Sequence, residues 1–171
     1  ATTFMVLLAA FQAVLYRYSG ERDVLVGTPV ANRNRSEIEG LIGCFLNTLV
    51  LRTDLSGDPP FRELLSRARG AALGAYGHQD VPFELLLEQL QPERDLHRNP
   101  VFQVFFNMLS ADQALPGLKG LEVRSLGTAL ETAKFDLTLY AAQHGDVLAL
   151  SLTYSRDLFE EATVAAMLEH F

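Results

Sequence analysis

The chain has 171 residues, one domain's worth, and at that size a compact fold buries roughly 70% of its unfolded surface. Hydrophobic residues make up 49% and charged residues 20%, as in an ordinary soluble globular protein. The net charge of -7, with no Lys/Arg run and no basic–aromatic interleaving, argues against a nucleic-acid partner, and no apolar run reaches the roughly 20 residues of a membrane span.

Cys44 is the single cysteine, so no internal disulfide can form, which fits a reducing, cytoplasmic compartment. Residues Phe4 to Phe11 are apolar but lack the basic lead of a signal peptide. The first residue is not Met and the apolar pattern begins at Phe4, so the chain reads as a piece of a longer polypeptide.

Phe4, Leu7, Leu8, Phe11, Leu15 and Tyr18 recur at helical spacing, and Gly20 supplies a stop. Asp23 to Val30 is a nearly continuous apolar run, which suits a strand covered on both faces, with Pro29 near its end. Ala31 to Gly40 is polar and predicts a loop. A second strand is expected from about Cys44 to Arg52, with Cys44 as a small core residue. Ser56 to Pro60 predicts a turn into a helix, Asp58 near its cap. The stripe Phe61, Leu64, Leu65, Ala68, Ala71, Ala72 and Ala75 carries that helix to about Gly77.

Asp80 is placed to cap a short helix through Leu90, with Pro82 in its first turn. Pro92 to Pro100 is a charged loop. Val101 to Leu109 predicts a strand, with Phe102, Val104, Phe106 and Met108 on the core face. Gln103 and Asn107 flank Phe105 on the other face. Ala111 to Gly120 reads as a loop and Leu121 to Leu126 as a short strand. Lys134 to Gln143 and Val147 to Ser155 predict a hairpin around His144, Gly145 and Asp146. Asp157 to Glu160 has a capping-box pattern before a last helix carrying Val164, Met167, Leu168 and Phe171 inward. The order predicts a mixed α/β fold, a two-layer sandwich of a mixed sheet packed with helices.

The sequence holds no GxGxxG, Walker loop, GxSxG, HExxH or CxxC. His78, His97, His144 and His170 are dispersed, so no metal site is expected; His144 and His170 are placed at the surface. Asn47 falls on a strand face with Phe45, Leu49 and Leu51, and a buried amide needs partners. It either bonds a loop or lines a substrate passage. Gln103 and Asn107 leave two readings open: a solvent-facing strand, or the border of a polar cleft. His78-Gln79-Asp80 gathers hydrogen-bonding residues in a turn between helices. Arg94, Asp95, Arg98 and Asn99 form a loop that Arg–Asp and Asn–backbone bonds can hold.

Three segments together resemble the condensation domains of nonribosomal peptide synthetases. Ile42 to Arg52 reads I-G-C-F-L-N-T-L-V-L-R, with Gly43, Phe45, Asn47 and Thr48 matching a family motif. His78 to Glu84, H-Q-D-V-P-F-E, matches a second in full, Gln79, Asp80 and Pro82 included. Arg94 to Val101, R-D-L-H-R-N-P-V, matches a third, with His97 in a serine position. The flanks Val26 to Arg33 and Ala133 to Leu139 also resemble the family.

The resemblance implies one of two chloramphenicol-acetyltransferase-like lobes, the carboxy-terminal one, spanning 1–171. A tunnel would run between the lobes, entered by phosphopantetheine arms of peptidyl carrier proteins. It implies no cofactor bound directly. The implied partners are the amino-terminal lobe, the carrier proteins and adjacent synthetase domains. The family's catalytic HHxxxDG motif is missing here, so no catalytic residue is expected and the lobe alone should be inactive. By the same resemblance Arg33 ends a strand near that motif's aspartate, and Asn47, Thr48, Gln103 and Asn107 border the tunnel. Gln79, Asp80, Arg98 and Asn99 fix loops near the lobe junction. A non-catalytic docking platform and a lobe of an ester-forming relative are the rival readings. An exposed junction face should make the lobe self-associate.

Overall fold

Val24, Val26 and Thr28 alternate along one face of a strand, and that face becomes the floor of the core. The computed structural model of the chain describes residues 1–92, 95, 98–109, 121 and 132–171. Its elements are α1 Thr3–Ser19, β1 Asp23–Val30, α2 Ser36–Glu39, β2 Asn47–Asp54, α3 Phe61–Gly77, α4 Phe83–Leu90, β3 Val104–Leu109, β4 Leu137–His144, β5 Val147–Tyr154 and α5 Glu161–His170. The strands form a single sheet in the order β2-β1-β3-β4-β5. β1 runs antiparallel to β2 and parallel to β3, β3 runs parallel to β4, and β4 and β5 form an antiparallel hairpin.

The expected mixed α/β packing is present. α1, α3 and α5 lay their apolar stripes on one face of the sheet. Phe11 and Leu8 of α1, Ala68 and Ala72 of α3, and Val164 and Met167 of α5 meet Val26, Leu51, Phe106, Leu137 and Leu139. Phe106 is fully buried, stacked on Phe4 at 5.1 Å and tilted against Phe11 at 6.2 Å. α1 ends where the sequence places its stop: Gly20 takes φ 75° and its N–H donates to Tyr16 O at 2.8 Å.

Several local expectations change. The loop at 31–40 contains the one-turn helix α2. β2 begins at Asn47 rather than Cys44, because residues 43–46 are committed to a bend around Arg33; Cys44 is therefore exposed, not a core residue. Asp58 does not cap α3: Pro60 holds that position, and Asp58 faces Arg17 at 3.8 Å on the surface. Asp157 forms no capping box with Glu160, which itself holds the N-cap of α5 with no side-chain bond. β4 starts at Leu137 rather than Lys134, and the hairpin turn shortens to Gly145 and Asp146, with His144 paired to Val147. Gly145 at φ 60° provides the left-handed residue such a two-residue turn needs. The strand expected over Leu121–Leu126 falls, but for Leu121, outside the described residues, as do Arg94 and His97.

β3 begins at Val104, three residues later than expected, and this moves Phe102 to the opposite side of the sheet from Phe106. Its ring lies over Gly27, the neighbour of Phe105 in the ladder. A Cβ on Gly27 would sit 2.3 Å from Phe102 Cε2. The ring has little freedom to yield, being packed by Phe83 at 5.7 Å, Phe105 at 6.0 Å and Phe135 at 5.4 Å. Gly27→Ala is therefore expected to cost about 1–3 kcal/mol of stability by overpacking. Urea unfolding of Gly27→Ala, alone and combined with Phe102→Leu, checks this: the second change should recover part of the loss. Equal stability of Gly27→Ala and the parent would show that the ring yields freely.

The open end of the β1–β2 ladder carries a bidentate pair, Arg52 to Asp23, with bonds of 2.7–3.1 Å. The Arg52 hydrogen bonds hold the Asp23 carboxyl below its usual range. A depressed acid adds stability above its unfolded value, and that stability fades as pH falls through the folded value. The pair is exposed, so water and salt screen it and the contribution is small. Melting curves of Asp23→Asn should run just below wild type at neutral pH and converge with it as pH falls through and below the usual carboxylate range. A constant offset across that range would remove the ion pair as the cause.

Candidate functional site

The segments singled out in the sequence meet at one corner of the sheet, where β2 begins and α3 hands over to α4. Asn47 is the junction. Its Nδ2 donates to Gln79 O and to Val81 O, both at 2.8 Å, and its Oδ1 accepts from Thr48 N at 2.9 Å and Phe83 N at 3.1 Å. Both donors and the acceptor oxygen's two lone pairs are in use. Of the two roles open to Asn47, this geometry fills the loop-bonding one.

It also replaces an expected cap. Asp80 does not cap α4; Pro82 holds the N-cap with no side-chain bond, and Asn47 reaches across to the Phe83 N–H instead. Asp80 accepts from Asn34 Nδ2 at 2.6 Å. The turn before α4 is thus braced twice, to the loop after β1 through Asp80 and to the start of β2 through Asn47. His78 is exposed at the end of α3, its N–H bonded to Ala75 O, and Gln79 contributes its carbonyl.

Arg33 lies three residues beyond the end of β1 and gathers the 38–45 segment around itself. Its guanidinium donates to Ile38 O, to Glu39 O at 3.2 Å and to Gly43 O at 3.1 Å, and sits 4.4 Å over the Phe45 ring. A planar fork with donors on several sides suits this task where a lysine would not. Ile42 and Leu46 of the same segment are left fully or largely exposed, and Val81, Leu85 and Leu90 are exposed along the 81–90 segment.

The sheet face away from α1, α3 and α5 carries the second group. Register places Gly27, Val50, Phe105, Thr138 and Thr153 in one row across it. Asn107 and Tyr140 follow in the next row, where Thr48 stands opposite Pro29. Phe105 stacks on Phe135 at 4.6 Å with the rings 4° from parallel. Gln103 and Asn107 are half-buried on either side of this aromatic slab. Gln103 Nε2 donates to Asn99 O at 2.9 Å, so it anchors the Arg98-Asn99-Pro100 loop, and its own carbonyl accepts from Asp136 N at 3.0 Å. Burial pushes the Asp136 carboxyl above its usual range, a rise the nearby Arg98 charge partly offsets. Asp95 and Arg98 line a cleft of about 770 Å³ against Leu87, Glu88 and Gln91.

Sequence reasoning did not find Asn34, Asp136 or the four-ring cluster of Phe83, Phe102, Phe105 and Phe135 as parts of this region. The cluster had a signal, the Phe102/Phe105 spacing. Contact with Phe83 and Phe135 depends on elements far apart in the chain.

The family model for the condensation domain matches residues 1–171. The chain is 52% identical over 172 residues to a linear gramicidin synthase subunit of Brevibacillus parabrevis, covering 99% of this chain and 3% of that protein. It is 40% identical over 171 residues to surfactin synthase subunit 1 of Bacillus subtilis (strain 168), covering 100% of this chain and 5% of that one. The X-domain from teicoplanin biosynthesis superposes with a TM-score of 0.88 at 29% identity, over 99% of this chain and 39% of that chain. The starter condensation domain of the rhizomide synthetase RzmA shares the fold, with a TM-score of 0.75 at 23% identity over 96% and 38%. The mixed five-stranded sheet packed with helices is the fold these solved structures share with the chain. The chain belongs to the condensation-domain family of nonribosomal peptide synthetases. It spans a small fraction of the synthetases it matches and under half of these two solved chains.

Proposed function

We propose that this chain is the carboxy-terminal lobe of a condensation domain that joins two carrier-protein-tethered substrates through an amide bond. In that reaction the acceptor amine attacks the donor thioester carbonyl, the carbon–sulfur bond breaks, and the donor's pantetheine leaves as a thiol. The amine's proton passes by way of an imidazole on the amino-terminal lobe to the departing sulfur. The observation that carries this reading is the brace at Asn47, which ties two family motifs together, with Asp80 tying the second to the loop after β1, in a single corner. Such a corner suits a wall that must hold its shape beside a tunnel.

In this reading the open sheet face, with Thr48, Gln103 and Asn107, borders the tunnel. Arg33 fixes the 38–45 segment where it meets the other lobe. Asp95, Arg98 and Asn99 serve as scaffold for the segment before β3. The partners are the amino-terminal lobe, carrier proteins bearing phosphopantetheine, and neighbouring synthetase domains in the cytoplasm. No helix among the described residues is long and apolar enough to cross a membrane. Exposed Ile42, Leu46 and Leu85 are the side chains the other lobe would cover.

The test mixes this chain with a separately produced amino-terminal lobe and two loaded carrier proteins, and follows the product by mass spectrometry. Amide is expected from the pair and from neither lobe alone. A folded pair that binds both carriers and makes no amide overturns the proposal. A docking platform is the second reading. The X-domain, solved in complex with OxyB from teicoplanin biosynthesis, superposes with a TM-score of 0.86 at 31% identity. Carrier or domain binding by the folded but inactive pair would favour that reading.

A further inference from the structure

Among the described residues the sheet ends in β2 on one side and in β5 on the other. An edge strand presents a row of backbone N–H and C=O groups that another strand can pair with, and proteins blunt such edges with charges, proline or a covering segment. β2 is blunted in this way: Arg52 and Asp54 stand exposed on it, and the first turn of α4 is bonded to Asn47 at its start. β5 is not. Val147 to Tyr154 reads V-L-A-L-S-L-T-Y, eight residues with no charge and no proline.

Its side chains are open on both faces. On the helix side, Leu139 and Ala141 of β4 are buried, yet Leu152 and Leu150, their ladder partners in β5, are only half-buried. Leu148, next along that face, is 37% exposed. On the other face Val147 is 65% exposed, and Ala149 and Ser151 are exposed beside it. A further strand laid along β5 would cover these flanks and take up the outward backbone groups.

We infer that the β5 edge is a self-association surface, on which a second copy of this chain pairs through its own β5, antiparallel about a two-fold axis. The strand matches itself. A register centred on Leu150 sets Leu148 opposite Leu152, Ala149 opposite Ser151 and Val147 opposite Thr153, so every side chain keeps its face and leucine meets leucine on the helix side. Charge selects the same strand. The chain carries -7 overall, so two copies approach most easily along a segment that adds no charge of its own. The contact is isologous and closes at two copies, because each contributes its β5 and the β2 edge is blunted. It places the self-association expected from the sequence on β5, at the opposite edge of the sheet from the Asn47 corner. Nothing in this pairing depends on the condensation reading.

The test follows the 171-residue chain by sedimentation velocity and amide hydrogen exchange over a wide range of concentration. The mean mass should rise toward that of a dimer, and exchange along β5 should slow as it does, while β1 and β3 stay unchanged. Leu148→Lys combined with Ser151→Lys puts a charge on each face of the edge. Both residues are exposed in the single chain, so the fold tolerates the change. The dissociation constant should rise about tenfold or more in this variant, from like charges brought together across the two-fold axis. Ile42→Glu combined with Leu46→Glu, at the other edge of the sheet, should leave association as it is. A chain that stays monomeric throughout, or β5 exchange that does not change with concentration, overturns the inference. So does a dimer kept in the lysine variant and lost in the glutamate one, which would move the contact to the junction face. Exchange on the unaltered chain gives the answer even where the lysine variant does not fold. Each of these results leaves the two-lobe amide assay to stand or fall by itself.

Discussion

Phe106→Ala is expected to lower the unfolding free energy by about 3–5 kcal/mol, the cost of emptying a fully enclosed aromatic site. Phe106 is fully buried on the middle strand of the sheet. Its ring meets Phe4 and Phe11 of α1, and its carbonyl receives the Thr28 hydroxyl from β1. Removing it takes away apolar burial and leaves a void that a helix and two strands must share. The surroundings are too constrained to collapse, because α1 is also held by α3 and β1. Chemical denaturation of Phe106→Ala beside Phe106→Leu checks this. Leucine should recover a large part of the loss, and a difference from wild type below about 1 kcal/mol for alanine would contradict the packing described.

Asn47→Ala is expected to cost about 2–4 kcal/mol, from four bonds each contributing roughly 0.5–1.5 kcal/mol less what water restores at this half-buried site. The loss has a direction. The Gln79 and Val81 carbonyls and the Phe83 N–H lose their partner together, so the 78–83 turn separates from β2. Asn47→Asp tests the assignment further. It keeps the acceptor for Phe83 N–H but replaces a donor with charge facing two carbonyls. It should be at least as damaging as alanine at neutral pH and recover as the carboxyl is protonated. Amide hydrogen exchange at Phe83 and Leu85 should rise in Asn47→Ala while β4 and β5 stay protected. Loss of protection throughout would make Asn47 a global core residue instead of a local brace.

The helices and strands with strong patterns were legible from residue order. α1 from Phe4 to Tyr18 with its Gly20 stop, α3 along its Leu/Ala stripe, and the apolar run of β1 each carry a local signal that tertiary contacts reinforce. The candidate site was legible as motif segments, and Asn47 was readable as an amide needing partners. Its partners in the turn before α4 were not, because they lie 32 to 36 residues away. The misplaced caps share a cause. Asp58, Asp80 and Asp157 sit where a local rule expects a helix cap, yet Asp80 is drawn to Asn34 and Asp58 toward Arg17. Cys44 was placed in the core by its apolar neighbours, but Arg33 bends that segment outward before β2 begins.

Order along the chain by itself determined the mixed α/β class, the positions of most elements, and membership in the condensation-domain family. Hydrophobic period and short motifs are properties of neighbouring residues, so they survive without coordinates. Only the tertiary structure decided that β1 lies between β2 and β3, that Phe102 crosses to the face opposite Phe106, and that the uncharged β5 stands at an edge of the sheet. Those facts depend on register and on contacts between distant segments, where a shift of one residue turns a side chain to the other face of the sheet.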